Sequence, residues 1–324
     1  MKVLVTGVNG FIGNAISCRL ISDKIYVIGS VRHKKLSKGV KQIRTIEVGE
    51  INDKTEWGEA LHDIDTVIHL AGRVHKIRDL GKDPKELYER VNVDGTKKLV
   101  MQSIKKRVKR FIFLSTVKVN GEENKNPYKE TDIPSPQDAY SISKYEAEIN
   151  IKDITKTSEM EFVIIRPPLV YGPCVKANFL KLIRIVDRGI PLPFASIGNK
   201  RSMIYIENLV DAVLLCVQHP NAAGQTYLVS DGQDVSTPGL IRMIAAALQT
   251  KPRLFRCPPL ALYMAGRFTG KGPTVDRLIG SLTVDTGKIK SELGWTAPFT
   301  LGEGLQKTAF WYKSKKGLNK YHLR

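Results

Sequence analysis

The chain has 324 residues, and its 51 Lys and Arg against 32 Asp and Glu give a formal net charge of +19. Apolar residues make up 42% of it, which is enough for well-packed cores and excludes an intrinsically disordered chain. Four scattered cysteines exclude a disulfide framework, and no Cys/His spacing indicates a metal site. The positive charge favours anionic partners, which include nucleic acid, acidic membrane surfaces and phosphorylated substrates.

Short apolar runs alternate with amphipathic stretches in the first half of the chain. The first run, residues 2–6, predicts a buried strand, and residues 11–21 predict the helix that follows it. Strands that alternate with helices predict an α/β protein with a doubly wound parallel sheet and right-handed crossovers. The other predicted strands are residues 25–28, 42–48, 66–70, 110–114 and 162–166, and the longest predicted helices are residues 84–106 and 139–155.

The alternation breaks down after Arg166, where prolines interrupt the chain repeatedly. A helix at 208–218 and a strand at 225–229 are the clearest later elements. We therefore predict a first domain at residues 1–166, to which the chain returns near 203–230. Residues 167–202 and 231–324 are predicted to form a smaller, mixed substrate-binding lobe.

A glycine-rich loop follows the first predicted strand. Gly7, Gly10 and Gly13 have the spacing G-x-x-G-x-x-G and lead directly into the first predicted helix. A dinucleotide needs such glycines because its pyrophosphate approaches the backbone closely and lies at the helix N-terminus. The loop therefore predicts a Rossmann-type dinucleotide site, to which Asn9, Phe11 and Ile12 also belong.

The end of the second predicted strand discriminates between NAD and NADP. An NAD site usually has an acidic residue there for the ribose hydroxyls, whereas this chain has Arg32-His33-Lys34-Lys35. A cation such as Arg32 suits a 2′-phosphate, so the sequence favours NADP(H), with NAD(H) left open. The alternative reading is a solvated basic turn.

Tyr140 and Lys144 lie four residues apart, so on a helix they share one face. A lysine beside a phenol is expected to lower the tyrosine pKa and to make the phenol a proton donor or acceptor near neutral pH. Ser115 and Thr116 end an apolar strand about two dozen residues upstream, where a hydroxyl could bind a reacting sugar oxygen. The three segments together predict an oxidoreductase site.

These features occur together with several further motifs spread over nearly the whole chain. The motifs are Thr6-Gly7-x-x-Gly10-Phe11-Ile12-Gly13, Val67-Ile68-His69-Leu70-Ala71-Gly72, Asn92-Val93-Asp94-Gly95-Thr96, Tyr140-x-x-x-Lys144, Arg166-Pro167-Pro168-x-Val170-Tyr171-Gly172-Pro173 and Leu293-Gly294-Trp295. The chain thereby resembles the extended short-chain dehydrogenase/reductase family, in its nucleotide-sugar epimerase/dehydratase branch.

The resemblance implies a role for each matching residue. Thr116, Tyr140 and Lys144 would be catalytic, and Lys144 would also hold the nicotinamide ribose. Arg201 would bind the sugar diphosphate, as a guanidinium can do bidentately, together with Asn178. As the weakest match, Asp276 and Arg277 would contact the nucleotide ribose or the second phosphate. Lys118 could reach the substrate from the loop after Thr116. The further residues assigned to the cofactor are Glu50, Ile51, Leu70, Ala71, Gly72, Asn92, Ser115 and Pro167.

The residue that follows Thr116 narrows the reaction. The family's 4,6-dehydratases have an Asp-Glu pair there, whereas this chain has Val117-Lys118, so dehydration is not expected. Two reactions remain: one-way reduction of a UDP-4-keto-6-deoxy-N-acetylhexosamine by NADPH, and 4-epimerisation of a UDP-sugar with tightly bound NAD. The chain resembles a bacterial subgroup of surface-polysaccharide synthesis, including O-antigen, whose members are described as either. The sequence favours the ketoreductase.

A remote alternative is a non-catalytic member of the superfamily that binds RNA or a protein partner. The intact set of Thr116, Tyr140 and Lys144 argues against it, so no nucleic-acid partner is expected. No signal peptide or membrane span is recognisable, and we expect a cytoplasmic protein. The resemblance suggests a homodimer formed through the helices near 84–106 and 139–155. Most of the positive charge is assigned to solvated surface.

Overall fold

The computed structural model describes residues 1–33, 43–73, 83–270 and 272–321. Its centre is a seven-stranded parallel sheet, in which the strands lie in the order Arg44–Glu47, Tyr26–Val31, Lys2–Thr6, Thr66–His69, Arg110–Leu114, Glu161–Arg166 and Gln225–Leu228. This is the doubly wound α/β arrangement predicted from the sequence. The strands of the chain are β1 Lys2–Thr6, β2 Tyr26–Val31, β3 Arg44–Glu47, β4 Thr66–His69, β5 Arg110–Leu114, β6 Glu161–Arg166, β7 Leu169–Tyr171, β8 Met203–Tyr205 and β9 Gln225–Leu228.

Helices cover both faces of the sheet. The helices are α1 Phe11–Ser22, α2 Pro84–Tyr88, α3 Gly95–Lys105, α4 Ala139–Thr155, α5 Ala177–Asp187, α6 Ile206–Gln218, α7 Thr237–Ala247, α8 Pro259–Phe268, α9 Gly272–Ile279, α10 Gly287–Leu293 and α11 Leu301–Tyr321. Helices α1 and α6 pack on the face to which Val3 and Val5 point, and α3 and α4 pack on the opposite face with Leu4. The strands are apolar on both sides because both faces are buried.

The predicted helix at 84–106 is not continuous. A π-helical stretch, Glu89–Asp94, separates α2 from α3. Because a π-helical segment holds one more residue per turn, apolar periodicity alone does not reveal it. The strand predicted at 25–28 is longer than expected and extends to Val31, at the edge where the dinucleotide site was predicted.

A second core lies between the remaining elements. Strands β7 and β8 pair in a separate two-stranded sheet, and the side chains of Tyr171 and Tyr205 are fully buried between α5, α7 and α11. From β8 the chain enters α6 directly and returns to the main sheet as β9, which pairs with β6. Among the described residues, no helix is both long and apolar enough to cross a bilayer.

Candidate active site

The three glycines of the first loop are required by close backbone contacts. Gly7 has a φ of +70°, and a Cβ built on it would lie 3.0 Å from the amide nitrogen of Ala71. A Cβ on Gly13 would lie 2.2 Å from the carbonyl oxygen of Gly7, which no side chain could tolerate. Gly10 precedes α1, whose N-terminus has no side-chain cap, so backbone N–H groups there are available to an anion. This cradle fits a dinucleotide pyrophosphate.

Thr6, at the end of β1, anchors the loop after β4 by hydrogen bonds. The Thr6 hydroxyl accepts hydrogen bonds from the amides of Leu70 (3.1 Å) and Ala71 (3.0 Å), so it donates its own hydrogen to Nδ1 of His69 (2.7 Å). Nε2 of His69 then donates to Thr96 (3.0 Å). Burial, assisted by the charge of Lys144, lowers the His69 pKa to about 3, so this histidine is a neutral structural bridge. Thr6, His69 and Thr96 stand in three separate sequence motifs, and the motifs do not indicate that these side chains form hydrogen bonds with one another.

Asn92 fastens the same loop from the other side. Its Oδ1 accepts from the Arg73 amide at 2.7 Å, and its Nδ2 donates to the Arg73 carbonyl and to Ser143 on α4. Gly72 lies against it, because a Cβ there would be 3.2 Å from Oδ1. Asn92 belongs to the π-helical stretch and is buried, so in this structure it braces the backbone of the predicted cofactor loop.

The residues that directly follow β2 are basic and exposed. Arg32 is exposed, and His33 lies 3.4 Å from the carboxylate of Glu47 at the end of β3. Lys34 and Lys35 lie outside the described residues. Glu50 pairs with Arg90 at 2.9 Å, and Ile51 packs against Gly95 at the start of α3. These residues line the same sheet edge as the glycine loop, because parallel strands end together.

Tyr140 and Lys144 lie on the first two turns of α4. Asp138 begins this helix with a capping box, accepting from the Ser141 amide at 2.7 Å. Burial, then the charge of Asp138 and the nearby Tyr88, raises the pKa of Tyr140 to about 12. The rings of Tyr88 and Tyr140 meet edge to face, with centroids 6.2 Å apart.

The sequence-based expectation of a lowered tyrosine pKa is therefore wrong for the protein without cofactor. The ammonium of Lys144 lies 3.8 Å from the centre of the Phe113 ring, and burial lowers its pKa to about 7 although the carboxylate of Glu148 opposes the shift. A lysine that is driven towards its neutral form supplies little charge to the phenol. Desolvation of Tyr140 therefore outweighs the effect of its cationic neighbour.

A buried ion pair lies one turn further along α4. Glu148 receives two hydrogen bonds from Arg166 at the end of β6, at 3.0 and 2.5 Å, and a short one from Ser115. Arg166 also donates to Asn120 at 3.0 Å, and Asn120 donates to the carbonyl of Lys129. The two charges are almost completely inaccessible to solvent, so their hydrogen bonds must offset a large desolvation cost. The network ties α4 to β5 and β6 beside the candidate site.

Thr116 and Lys118 lie in the loop that follows β5. Thr116 caps the short 3₁₀ helix Val117–Val119, with its Oγ1 3.3 Å from the Lys118 amide. The Lys118 ammonium binds two carboxylates, Glu122 at 2.5 Å and Asp138 at 2.7 Å. Ser115 and Thr116, the two hydroxyl-bearing residues of the predicted site, thus directly follow β5, whereas the charge of Lys118 is engaged within the protein.

The residues predicted to bind a sugar diphosphate lie in the second part of the chain. Arg201 is half-buried, and its Nη1 donates to the carbonyls of Arg277 (2.9 Å) and Gly280 (3.1 Å). Asn178 is exposed on the first turn of α5, and Asp276 is exposed on α9. Pro167 is buried after β6, where its carbonyl accepts from the Val117 amide at 3.0 Å.

The sequence profile of the NAD-dependent epimerase/dehydratase family matches residues 3–230, which include the glycine loop, Thr116, Tyr140 and Lys144. The chain belongs to this family. It is 44% identical over 311 residues to a Vibrio cholerae protein named UDP-glucose 4-epimerase, covering 95% of this chain and 94% of that one.

Two further family members are similar over nearly their whole length. An Escherichia coli O157:H7 protein named N-acetyl-α-D-glucosaminyl-diphospho-ditrans,octacis-undecaprenol 4-epimerase is 27% identical over 323 residues, covering 95% of this chain and 94% of that one. The solved structure of MoeE5 in complex with UDP-glucose and NAD is 25% identical, with a TM-score of 0.79, covering 98% of this chain and all of that one. This chain is therefore an enzyme of the NAD-dependent epimerase/dehydratase type.

Proposed function

We propose that the enzyme transfers hydride at C4 of a UDP-sugar and that its overall reaction is 4-epimerisation. The observation that carries the proposal is that the half-buried Tyr140 and the buried Lys144 share one face of α4, at the sheet edge that holds the glycine loop. The 44% identical relative bears the name of a UDP-glucose 4-epimerase, and the 27% identical relative is also named as a 4-epimerase. Both names describe a reaction at C4 of the sugar in those relatives, which supports the proposal.

The residues of the first domain, 1–166, are proposed to hold the cofactor. The pyrophosphate would lie on the backbone of the glycine loop at the start of α1, since a Cβ would collide at Gly7 and Gly13. NAD, when bound, supplies the hydride acceptor. The remaining proposed cofactor contacts are Asn9, Gly10, Phe11, Ile12, Arg32, Glu50, Ile51, Leu70, Ala71, Gly72, Asn92, Ser115, Tyr140, Lys144 and Pro167.

The smaller lobe, 167–202 and 231–324, is proposed to hold the UDP-sugar. Arg201 supports this because only its Nη1 is engaged by backbone carbonyls among the described residues, which leaves the rest of its guanidinium for a phosphate. Asn178 and Asp276 are exposed and remain proposed contacts. A substrate contact by Lys118 would require its ammonium to leave Glu122 or Asp138.

The side chains of the proposed site have separate tasks. Tyr140 acts as the base only in its phenolate form, which takes the proton of the C4 hydroxyl when the sugar is oxidised; the phenol so formed returns that proton when the 4-keto sugar is reduced. Thr116 donates a hydrogen bond to the same oxygen and thereby orients it. Lys144, whose pKa of about 7 leaves it partly protonated at neutral pH, adjusts the charge near the phenol. Glu148 and Arg166 keep the Lys144 turn of α4 in place.

A second candidate function, one-way reduction of a UDP-4-keto-6-deoxy-N-acetylhexosamine, is favoured by two observations. The Tyr140 pKa of about 12 keeps the phenol in the form that donates a proton to a ketone. In addition, Arg32 occupies the end of β2, where a basic residue suits the 2′-phosphate of NADPH. A reductase must release its oxidised cofactor after each turnover, whereas an epimerase retains it.

Two incubations separate the candidates. The first contains the enzyme and UDP-glucose with no added cofactor, and formation of UDP-galactose would support epimerisation by retained NAD. The second contains UDP-4-keto-6-deoxy-N-acetylglucosamine and NADPH, and stoichiometric loss of nicotinamide absorbance would identify the reductase. Absence of turnover in both would contradict the proposed C4 chemistry on these sugars.

Cofactor choice is proposed to depend on Arg32. If NADPH is the cofactor, Arg32→Ala should weaken the binding of NADPH far more than the binding of NADH, because only NADPH carries the 2′-phosphate. Lys24→Ala serves as the control, because it removes a different surface cation, on the turn before β2. If Arg32→Ala changes the affinities for NADPH and NADH equally, Arg32 does not bind a 2′-phosphate, and NAD is then the natural cofactor.

A homodimer is proposed through α3 and α4. These helices pack side by side, and each presents an exposed apolar residue, Met101 on α3 and Ile149 on α4. The double variant Met101→Lys/Ile149→Lys should be monomeric in analytical ultracentrifugation if the wild type is a dimer of this kind. The enzyme is proposed to act in the cytoplasm, in the synthesis of surface polysaccharide such as O-antigen.

A further inference from the structure

Helix α8 presents its apolar side to solvent. Leu260, Tyr263, Met264 and Phe268 are spaced by three, four and eight residues, so they share one face, and they are 72, 37, 51 and 84% exposed. The opposite face packs on the protein through Leu262 and Gly266, which are buried. Most surface helices have the reverse arrangement. An apolar face of this kind on the outside indicates a binding surface.

The surface is held in place by the protein around it. A Cβ on Gly266 would lie 2.8 Å from Val275, so α8 and α9 approach closely. Just before α8, the Phe255 amide donates to the Leu192 carbonyl at 3.0 Å, and the Phe255 carbonyl accepts from Ala195. The side chain of Phe255, five residues before Leu260, is itself exposed. The side chains are thus displayed by a packed part of the fold.

The segment that carries this face is strongly basic. Residues 251–279 contain six Lys and Arg and one acidic residue, Asp276. Arg253, Arg256 and Arg267 are exposed, and in the described ranges none of their side chains makes an ion pair. Apolar side chains bordered by unpaired arginines match the chemistry of an anionic lipid surface, where acyl chains take the apolar groups and headgroups take the cations.

We propose that the outer face of α8 docks on an anionic membrane surface. The helix lies in the plane of the lipid headgroups, with Leu260, Met264 and Phe268 inserted and the arginines at headgroup level. Helix α9 connects this surface to the candidate substrate lobe, because the Arg277 carbonyl accepts from Arg201. Docking would therefore hold the nucleotide-sugar lobe close to the membrane. The proposal does not depend on which sugar is converted.

The test is flotation of the full chain with lipid vesicles. We expect the wild type to float with vesicles of phosphatidylglycerol and phosphatidylcholine, to be released by high salt, and to stay unbound with phosphatidylcholine alone. Leu260→Ser/Phe268→Ser should weaken binding roughly tenfold or more, because it removes the inserted groups. Arg256→Gln/Arg267→Gln should weaken it roughly fivefold for each charge and should reduce its dependence on salt.

Phe310→Ser is the matched control, because Phe310 is 78% exposed on α11 and its loss should leave flotation unchanged. Circular dichroism melts check that every variant is folded. Failure of the wild type to float would overturn the proposal, as would equal flotation of the wild type and Leu260→Ser/Phe268→Ser. A third outcome would also overturn the proposal. If neither the wild type nor any variant bound vesicles, and Leu260→Ser/Phe268→Ser converted a dimer to a monomer in ultracentrifugation, this face would be a contact between two copies of the chain.

Discussion

The Lys118 ammonium lies 2.7 Å from the carboxylate of Asp138, the residue that caps the helix carrying Tyr140. Asp138 accepts from the Ser141 amide through its other oxygen, so a single carboxylate connects the loop after Thr116 to the first turn of α4. The Asp138 charge also raises the pKa of Tyr140. Lys118 therefore acts on the phenol indirectly, by partly neutralising the anion nearest to it.

Replacement of Lys118 by methionine should move the pH profile of turnover. Without the ammonium, the unbalanced charge of Asp138 stabilises the protonated phenol, so the limb of the kcat profile that reports Tyr140 should shift to higher pH. Lys118→Arg keeps the charge and should restore the wild-type profile. An unchanged profile in Lys118→Met, with only stability reduced, would mean that the ion pair is purely structural.

Tyr140→Phe should leave cofactor binding largely intact and lower turnover roughly 10²–10⁴-fold, because only the proton-transferring oxygen is removed. Isothermal titration with the cofactor measures the first quantity, and a UDP-sugar assay measures the second. Tyr145→Phe, on the same helix, provides a control that should retain turnover. Full activity of Tyr140→Phe would refute the assignment of this residue as the acid/base.

Asn92→Ala should weaken cofactor binding without any direct loss of a catalytic group. The substitution removes the two hydrogen bonds between Asn92 and the Arg73 backbone, at a cost of about 1–3 kcal/mol, and so weakens the support of residues 70–73 after β4. Denaturant unfolding measures the stability, and fluorescence titration measures the cofactor affinity. Asn221→Ala, near the start of β9 at the opposite edge of the sheet, should leave cofactor affinity unchanged. Wild-type affinity in Asn92→Ala would show that the loop is held by other contacts.

Lys144→Met should produce an inactive but more stable protein. The pKa of Lys144 is about 7 in the folded chain, against an ordinary value of 10.5, so folding is penalised wherever the unfolded chain holds this proton more tightly. The penalty is complete below about pH 7 and disappears above about pH 10.5. The variant should therefore gain up to about 5 kcal/mol in the free energy of unfolding at pH 6, which is the equivalent of the difference between a pKa of 10.5 and one of about 7, and almost nothing at pH 10.5. A gain of equal size at both pH values would point to packing instead of charge.

The sequence predicted the parallel sheet and its glycine loop well, because both depend on local patterns: apolar runs of strand length and glycines where a Cβ would collide. It did not predict the bonds of Thr6 to His69 or of Glu148 to Ser115, since these join residues 63 and 33 positions apart. The direction of the Tyr140 pKa was also missed, because the depth of burial is a property of the folded chain. The ion pairs of Lys118 were not predicted either, because a sequence does not show whether a lysine is free or paired.

The π-helical stretch between α2 and α3 changes the angle at which two parts of one helical segment face their neighbours. Before it, Tyr88 meets the ring of Tyr140, and after it Thr96 receives the hydrogen bond from His69. In an uninterrupted α-helix each residue corresponds to a rotation of about 100°. Deleting one residue from Glu89–Asp94 would therefore rotate α3 relative to α2 by about that angle, and only one of the two contacts could be kept. The extra residue lets a single helical segment serve both the tyrosine and the loop beneath the cofactor, and for that reason its length should tolerate neither insertion nor deletion.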